Sequence, residues 1–382
     1  MELYSIESGH GKRRLKYLHF LPRTRGVGMG LRFYITKRIL YAFILLFFII
    51  ALNFIIFRLM PGDPIAMLLN PFEKTSIEDK IRQEEELKKQ WGLNEPLHVQ
   101  FAMYVRNLFT WNFGKSIVSR KPVSQEMLYK IPYTLTLLGT TTILAVIIGV
   151  LWGAYTAQKR GSLFDSFSVT SSLVFYSLPV FWLGLVFILI FFVNLGWLPH
   201  AHAFPTEWAL GWPQPYKMTS SVSGGTLNIL VSLNPGEILE FIGGYVSHAF
   251  LPILTLTIFQ YGGFLLLTRA VMMETLTEDY VITARAKGLE ERTVLFKHAL
   301  KNASLPLITS AAISFGFILS GAIITETVFT WPGLGGWIWD AINLRNYTVL
   351  MAIFYVIAIC VIVANLMADL LYGIIDPRIK YG

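Results

Sequence analysis

The chain has 382 residues, 54% hydrophobic and only 15% charged, with a mean hydropathy of +0.54 and a formal net charge of +8. That profile excludes an ordinary water-soluble globule and is the composition of a multispanning membrane protein. The single cysteine, Cys360, excludes an intrachain disulfide and a cysteine-based metal site.

Windows of roughly 18 or more apolar residues, long enough to cross ~30 Å of hydrocarbon, recur about six times. Ahead of the first lies a basic arm, residues 1–38, with Lys12, Arg13, Arg14, Lys16, Arg23, Arg25, Arg32, Lys37 and Arg38 against Glu2 and Glu7. Basic residues beside a span are retained inside, so the N-terminus is cytoplasmic and the arm meets anionic membrane lipid, not nucleic acid. The apolar run that follows is too long for a cleavable signal. After the first span, 39–57, comes a large extracytoplasmic loop region, 58–132. In it Ile81, Leu87, Trp91, Phe101 and Tyr104 predict two short amphipathic helices broken at Gly92 and Pro96.

The transmembrane core, 133–371, is expected to hold spans at 133–157, 169–193, 248–267, 305–328 and 348–371. Lys159 and Arg160 mark a cytoplasmic turn, and a second outer loop, 194–247, has Lys217 as its one basic residue. That loop is rich in Gly, Pro, Trp and Ser and is expected to form an irregular cap. The segment 269–304 and the tail 372–382 fall inside. The fold class is therefore an all-α membrane protein with about six transmembrane helices, both termini cytoplasmic, in the cell membrane.

Most chemistries find no foothold. The one Gly-Lys-Ser, Gly114 to Ser116, lacks the preceding glycine of a phosphate loop, because Phe109 stands there. His200 and His202 have no third ligand in pattern, and no Gly-x-Ser-x-Gly occurs. Spans two to four contain no Asp, Glu, Lys or Arg, whereas Glu326 and Asp369 fall at span ends where water reaches them. The polar groups within are hydroxyls: Thr134, Thr136, Thr140, Thr141 and Thr142 in the second span, Ser314 and Ser320 in the fifth. Thr136, Thr140, Ser314 and Ser320 are candidates to line a translocation path. Helix-to-helix or back-bonding is the competing role for each hydroxyl. Gly149-x-x-x-Gly153 and Gly316-x-x-x-Ser320 read as close helix packing, and Trp197, Trp208, Trp212, Trp331, Trp337 and Trp339 as an interfacial belt.

A passage without an engine needs a place where one attaches. Thr277 or Asp279 can cap a short helix through Ala284, Arg285, Ala286 and Lys287, closed by Gly288. A second helix is expected from Glu290 or Glu291 to about Lys301. Small residues Ala284, Ala286 and Gly288 would admit a partner closely, with Arg285 and Lys287 pairing its carboxylates. An interfacial helix with snorkelling cations fits the same residues.

The stretch "DYVITARAKGLEERTVLFKHALKNASLP" resembles the cytoplasmic "EAA" loop of permease subunits of ATP-binding-cassette importers, more narrowly the dipeptide/oligopeptide family, first permease type. Tyr280, Thr283, Ala284, Arg285, Ala286, Lys287, Gly288, Leu289, His298, Ala299, Asn302 and Pro306 match that family's version. "FRLMPGDP", "WGLNEPLHVQF", "KPVSQEMLYKIPYTLTL", "ETVFTWPGLGGWIWDAI" and "YGIIDPRI" are similar to further landmarks. The resemblance implies an importer half that takes up dipeptides or oligopeptides, with oligosaccharides or nickel complexes as other substrate classes in related permeases. It also implies a second homologous permease, two cytoplasmic ATPase subunits and an extracytoplasmic substrate-binding protein as partners. No cofactor or metal would be bound by this chain, and ATP would be hydrolysed by the partners. Asp279, Tyr280, Thr283, Ala284, Arg285, Ala286, Lys287, Gly288 and Leu289 would form the ATPase-coupling helix. The general motif's Glu falls on Ile282, so its acidic contact is not carried over. Asn112 and Asn346 stand where the family often has Asp. A self-sufficient secondary transporter or channel is the alternative reading.

Overall fold

The computed structural model describes residues 31–59, 85, 95–200, 202–205, 216–223, 226–316, 318 and 322–375. The arm to residue 30 and the positions Ile81, Leu87 and Trp91 lie outside the described residues. Helices dominate because hydrocarbon offers no partner to a backbone N–H or C=O, so each segment must satisfy its own.

Helix α1 (Leu31–Leu59) is held by a short helix, α2 (Leu97–Phe109), which starts directly after Pro96 as the sequence predicts. The Phe101 ring lies 5.4 Å from Phe54, and Asn53 donates to the Tyr104 hydroxyl at 2.9 Å and to the Met351 carbonyl at 3.2 Å. A buried amide costs free energy unless paired, so these bonds fix how α1 is rotated against its neighbours.

Two long helices, α3 (Val123–Gln158) and α4 (Leu163–Ser177) with its continuation, flank the next turn of the chain. The span predicted at 169–193 is not one helix. α4 meets α5 (Val180–Phe187), extended by a π-helix (Ile188–Asn194), at 99°. Pro179 is the cause, since it lacks an N–H and drives Leu178 to extended backbone at φ −73° and ψ 141°.

In the outer loop, strand β1 (Tyr216–Ser223) pairs antiparallel with β2 (Thr226–Leu233), Tyr216 opposite Leu233 and Ser223 opposite Thr226. This corrects the expected irregular cap. The strands carry Thr, Val and Ile, and a Gly-Gly between two such runs is a hairpin signal that the loop's Gly and Pro content masks. Outside this hairpin, the regular structure of the described chain is helical.

Helix α6 (Pro235–Thr275) then crosses against α3, and α7 (Asp279–Ala286) and α8 (Glu291–Thr293) follow it. A π-helix (Val294–Leu300) leads without interruption into α9 (Lys301–Gly316), which runs through Pro306. The span predicted at 305–328 is thus also broken, because Ala322, at φ −100° and ψ 73°, leaves the helical region before α10 (Ile323–Val328). α11 (Leu334–Asn343) and α12 (Tyr347–Ile375) complete the chain. By length and hydropathy, among the described residues four helices can cross a membrane, in α1, α3, α6 and α12, with the bent α4–α5 pair as a fifth.

The central α3–α6 contact is set by glycine. A Cβ at Gly149 would lie 2.5 Å from the Phe264 Cβ and 2.7 Å from the Tyr261 carbonyl oxygen, and one at Gly153 2.6 Å from the Leu265 carbonyl oxygen. The Gly149-x-x-x-Gly153 pair therefore packs backbone to backbone, as read from the sequence. Gly149→Ala is expected to destabilise the protein by about 1–3 kcal/mol through overpacking. A lowered thermal unfolding midpoint in mild detergent checks this; an unchanged midpoint would contradict the contact.

Candidate functional site

At the inner end of α6 the chain builds a two-sided helix. Glu278 is the N-cap of α7 with no side-chain cap bond, so neither Thr277 nor Asp279 caps it as expected; the Thr277 hydroxyl turns back to the Glu274 carbonyl at 2.7 Å. The predicted end is as read: Gly288 sits at φ +74°, in the left-handed region that glycine enters without a Cβ penalty. On one side of α7, Val281 and Ala284 are buried with Ala154 and Ala157 of α3, Met272 of α6, and Val294, Leu295, Ala299 and Ala303. On the other side Asp279, Tyr280, Ile282, Thr283, Arg285, Ala286, Lys287, Gly288 and Leu289 are exposed. Among these Tyr280, Ile282 and Leu289 are large apolar side chains 40%, 54% and 40% exposed.

Two expectations for this segment change. Ala284 is spent on the chain's own core, since its small side chain lets α7 sit close over that cluster, and it is not available to a partner. Arg285 is already paired: its Nη2 donates to Glu291 Oε1 at 2.7 Å and its Nε to Oε2 at 3.2 Å. The bonded carboxylate raises the guanidinium further above its ordinary range, so Arg285 stays charged. The pair is exposed and solvent-screened, worth at most about 1 kcal/mol, and it clasps the end of α7 to the start of α8. The second helix starts at Glu291 as expected but does not stop near Lys301; the π-helix carries it into α9.

A second anchor, beside α6, was missed in the sequence. Asp165 on α4 accepts from Arg269 Nε at 2.6 Å and Nη2 at 2.9 Å, and from the Gly161 N–H at 2.9 Å. Ser162, the N-cap of α4, accepts from the Asp165 N–H at 3.2 Å. The spacing Ser162-x-x-Asp165 is a helix-start signal that would have placed Asp165 in a first turn, though not opposite Arg269. The bidentate pair ties the α3–α4 turn to the inner end of α6.

Between α3, the α4–α5 bend, α6, α9 and the α10–α11 segment lies an open cleft of about 990 Å³. Its lining includes Thr142, Gln260, Ser310, Ser314 and Thr325 among apolar side chains, and among the described residues no Asp, Glu, Lys or Arg. Of the predicted path residues, Ser314 lines it, its hydroxyl donating to the Ser310 carbonyl at 3.0 Å. Thr136 and Thr140 are exposed but not in that lining; Thr136 back-bonds to the Pro132 carbonyl at 2.9 Å and touches the Tyr245 hydroxyl. Ser320 lies outside the described residues. Gln260 was overlooked, although a lone amide in the apolar run "TLTIFQYGGF" is itself a signal.

Near the outer end, Glu326 corrects another expectation. It is fully buried, not water-accessible. Oε1 accepts the Thr134 hydroxyl at 3.1 Å, Oε2 accepts the Gly336 N–H at 3.0 Å, and the Thr134 oxygen accepts the Leu334 N–H at 2.7 Å. Gly333 and Gly335 leave no room for a Cβ beside the carboxylate. The run "WPGLGGW" is a turn folded around the Glu326 carboxyl group, and its Trp331 and Trp337 are buried, unlike the exposed Trp197 and Trp339. Trp208 and Trp212 lie outside the described residues. The side chain of Asp369, the other expected span-end acid, is likewise outside the description. The Gly114 to Ser116 segment is a loop whose Ser116 accepts from Asn346 Nδ2 at 2.8 Å, while Asn346 Oδ1 accepts the Ile117 N–H at 3.2 Å. An amide serves both bonds where a carboxylate could not donate.

Residues 134–381 match the family described as binding-protein-dependent transport system inner membrane component, and residues 30–138 match its N-terminal part. The chain is 37% identical over 330 residues to the di/tripeptide transport system permease protein DppB of Pseudomonas aeruginosa (strain UCBPP-PA14), covering 86% of this chain and 93% of that one. It is 35% identical to the oligopeptide transport system permease protein AppB of Bacillus subtilis (strain 168), covering 91% and 99%. It is 34% identical to the glutathione transport system permease protein GsiC of Escherichia coli (strain K12), again covering 91% and 99%.

Glu326→Ala strips the acceptor from the half-buried Gly336 N–H and the buried Thr134 hydroxyl. A stability loss of about 1–3 kcal/mol is expected, read as a lower unfolding midpoint in detergent. Thr134→Val, which orphans the Leu334 N–H while keeping the carboxylate, should lose less. Two midpoints equal to the wild type would remove the carboxylate-centred turn.

Proposed function

This chain belongs to the binding-protein-dependent transport system inner membrane component family, and from that premise we propose that its cargo is short peptides. It is a multi-pass membrane permease subunit of an ATP-binding-cassette importer. The names of its relatives speak of dipeptides, tripeptides, oligopeptides and glutathione, which supports a peptide cargo for this chain. A second homologous permease closes the cleft from the other side. Two cytoplasmic ATPase subunits hydrolyse the ATP, an extracytoplasmic binding protein delivers the substrate, and this chain itself binds no cofactor. We count six crossings, with α9 and α10 together as the fifth, and place both termini and α7 in the cytoplasm.

The observation that carries the mechanism is the two-sidedness of α7. Its exposed side, with Ile282, Thr283 and Ala286 opposite the buried pair and Tyr280 and Leu289 exposed at its margins, offers a surface with Lys287 as its cation for a groove on an ATPase. Its buried face shares one cluster with α3, α6 and the helix leading into α9. A displacement imposed on the outer face is therefore passed to three helices at once, because a close-packed cluster moves as a body. The Asp165–Arg269 pair adds α4 to that body. Closure of the ATPase pair then rocks the spans between inward-open and outward-open states, a rigid-body motion that needs no charge within the membrane.

Ile282→Arg places a charge on the proposed docking side of α7 while leaving its buried face untouched. We expect a docking loss of about 2 kcal/mol, seen as failure of the ATPase subunits to copurify and loss of ATP-driven uptake, with membrane insertion unchanged. Full uptake by this variant would remove α7 as the coupling element.

A further inference from the structure

We propose that the Gln260 side-chain amide is a substrate contact within the permease, hydrogen-bonding the main-chain amides of the peptide as it passes. The inference rests on the peptide-importer reading above and goes further by naming a residue and the substrate group it meets.

Gln260 lies inside α6, twelve residues after His248 and seven before Leu267, so it belongs to the segment that crosses the hydrocarbon. It lines the cleft, half-buried, and among the described residues no hydrogen bond engages its side chain. A primary amide left against lipid or in a dry interior is costly, because its two donors and its carbonyl lose water without replacement. Facing a cleft of about 990 Å³, the same amide keeps water until a ligand replaces it.

The surrounding walls narrow the ligand. Ser310 and Ser314 of α9 line the same cleft, and Ser314 has given its proton to the Ser310 carbonyl, which leaves its oxygen as an acceptor. Close to Gln260, Phe259 stacks on Tyr176, ring centroids 5.5 Å apart and 16° from parallel, giving a flat apolar wall that discriminates little between side chains. Among the described residues no acidic or basic residue lines the cleft, so neither the charged ends of a peptide nor its charged side chains find a counter-ion there. What remains common to peptides of different sequence is the peptide bond, one donor and one acceptor. A primary amide presents the complementary pair.

The test uses the complete importer in proteoliposomes, with trialanine as probe, measuring uptake and binding-protein-stimulated ATP hydrolysis together. Gln260→Met keeps length and volume but removes both hydrogen-bonding functions. The expected result is a fall in trialanine uptake of about three- to tenfold at unchanged ATP hydrolysis, the range that one lost hydrogen bond produces, with partial recovery in Gln260→Asn. Wild-type uptake by Gln260→Met overturns the proposal. So does a parallel fall of uptake and ATP hydrolysis, which would mark Gln260 as a packing residue. A wild-type complex that does not import trialanine would sink the peptide reading itself, an outcome distinct from any difference between variants.

Discussion

The rest of the molecule depends on the approach of α6 to its neighbours at glycine. Gly149 and Gly153 bring α3 onto the backbone of α6, and Gly262 on α6 brings it against the Ser172 carbonyl of α4, where a Cβ would lie 2.9 Å away. Lipid tails are as apolar as leucine, so hydrophobicity alone gives helices little reason to choose each other within a bilayer. Close backbone contact supplies the choice through dispersion and fixed geometry. α6 is gripped on two sides, and at 41 residues it extends roughly 60 Å, well past the ~30 Å of hydrocarbon. Its inner end is therefore a rigid stalk, and α7 is mounted on it.

Given that rod, the breaks in the other spans become positioned features. A helix that stops inside a membrane exposes carbonyls and N–H groups which lipid cannot satisfy, and such backbone persists only when protein or a watered cavity covers it. The α4–α5 bend and the α9–α10 break both border the cleft, which Tyr176 and Val180 line from one side and Ile318, Ala322 and Ile323 from another. At the second break the cover is built around Glu326. Burying a carboxylate costs several kcal/mol, and the Thr134 hydroxyl and glycine-turn amide at short range offset it. The carboxylate thereby organises a turn that no run of apolar residues would specify, joining the outer end of α3 to the approach of α11.

What the sequence made legible follows from how local each signal is. Four of the predicted spans, in α1, α3, α6 and α12, the α2 start after Pro96, the α7 end at Gly288 and the Gly149–Gly153 seam each depend on a few adjacent residues and emerged close to their places. The bend at Pro179 was also local, but hydropathy windows average over proline and smoothed it away. The Asp165–Arg269 pair and the Glu326 turn join residues 104 and 192 positions from their partners, and no window reaches that far. Ala284 shows a subtler failure. A small residue suits a partner's approach and its own core equally, and only the fold decides which surface receives it.

Charge is distributed along the molecule in a way that divides grip from passage. At one end Asp165 with Arg269 and Arg285 with Glu291 fasten α4 to α6 and α7 to α8. Among the described residues, the cleft lining carries no charge. A site that must release what it receives cannot hold it strongly, since conduction through any passage requires binding weak enough to leave. Peptides carry charges at both ends, and a fixed counter-ion in a low-dielectric cleft would retain one end at a cost of several kcal/mol to undo. Neutral hydroxyls and an amide exchange with water at near balance, each bond worth about 1 kcal/mol net, so a peptide can step past them. On the proposed reading, selection falls to the binding protein that delivers the substrate and work to the ATPases that would move α7. The permease contributes the body that turns one into the other.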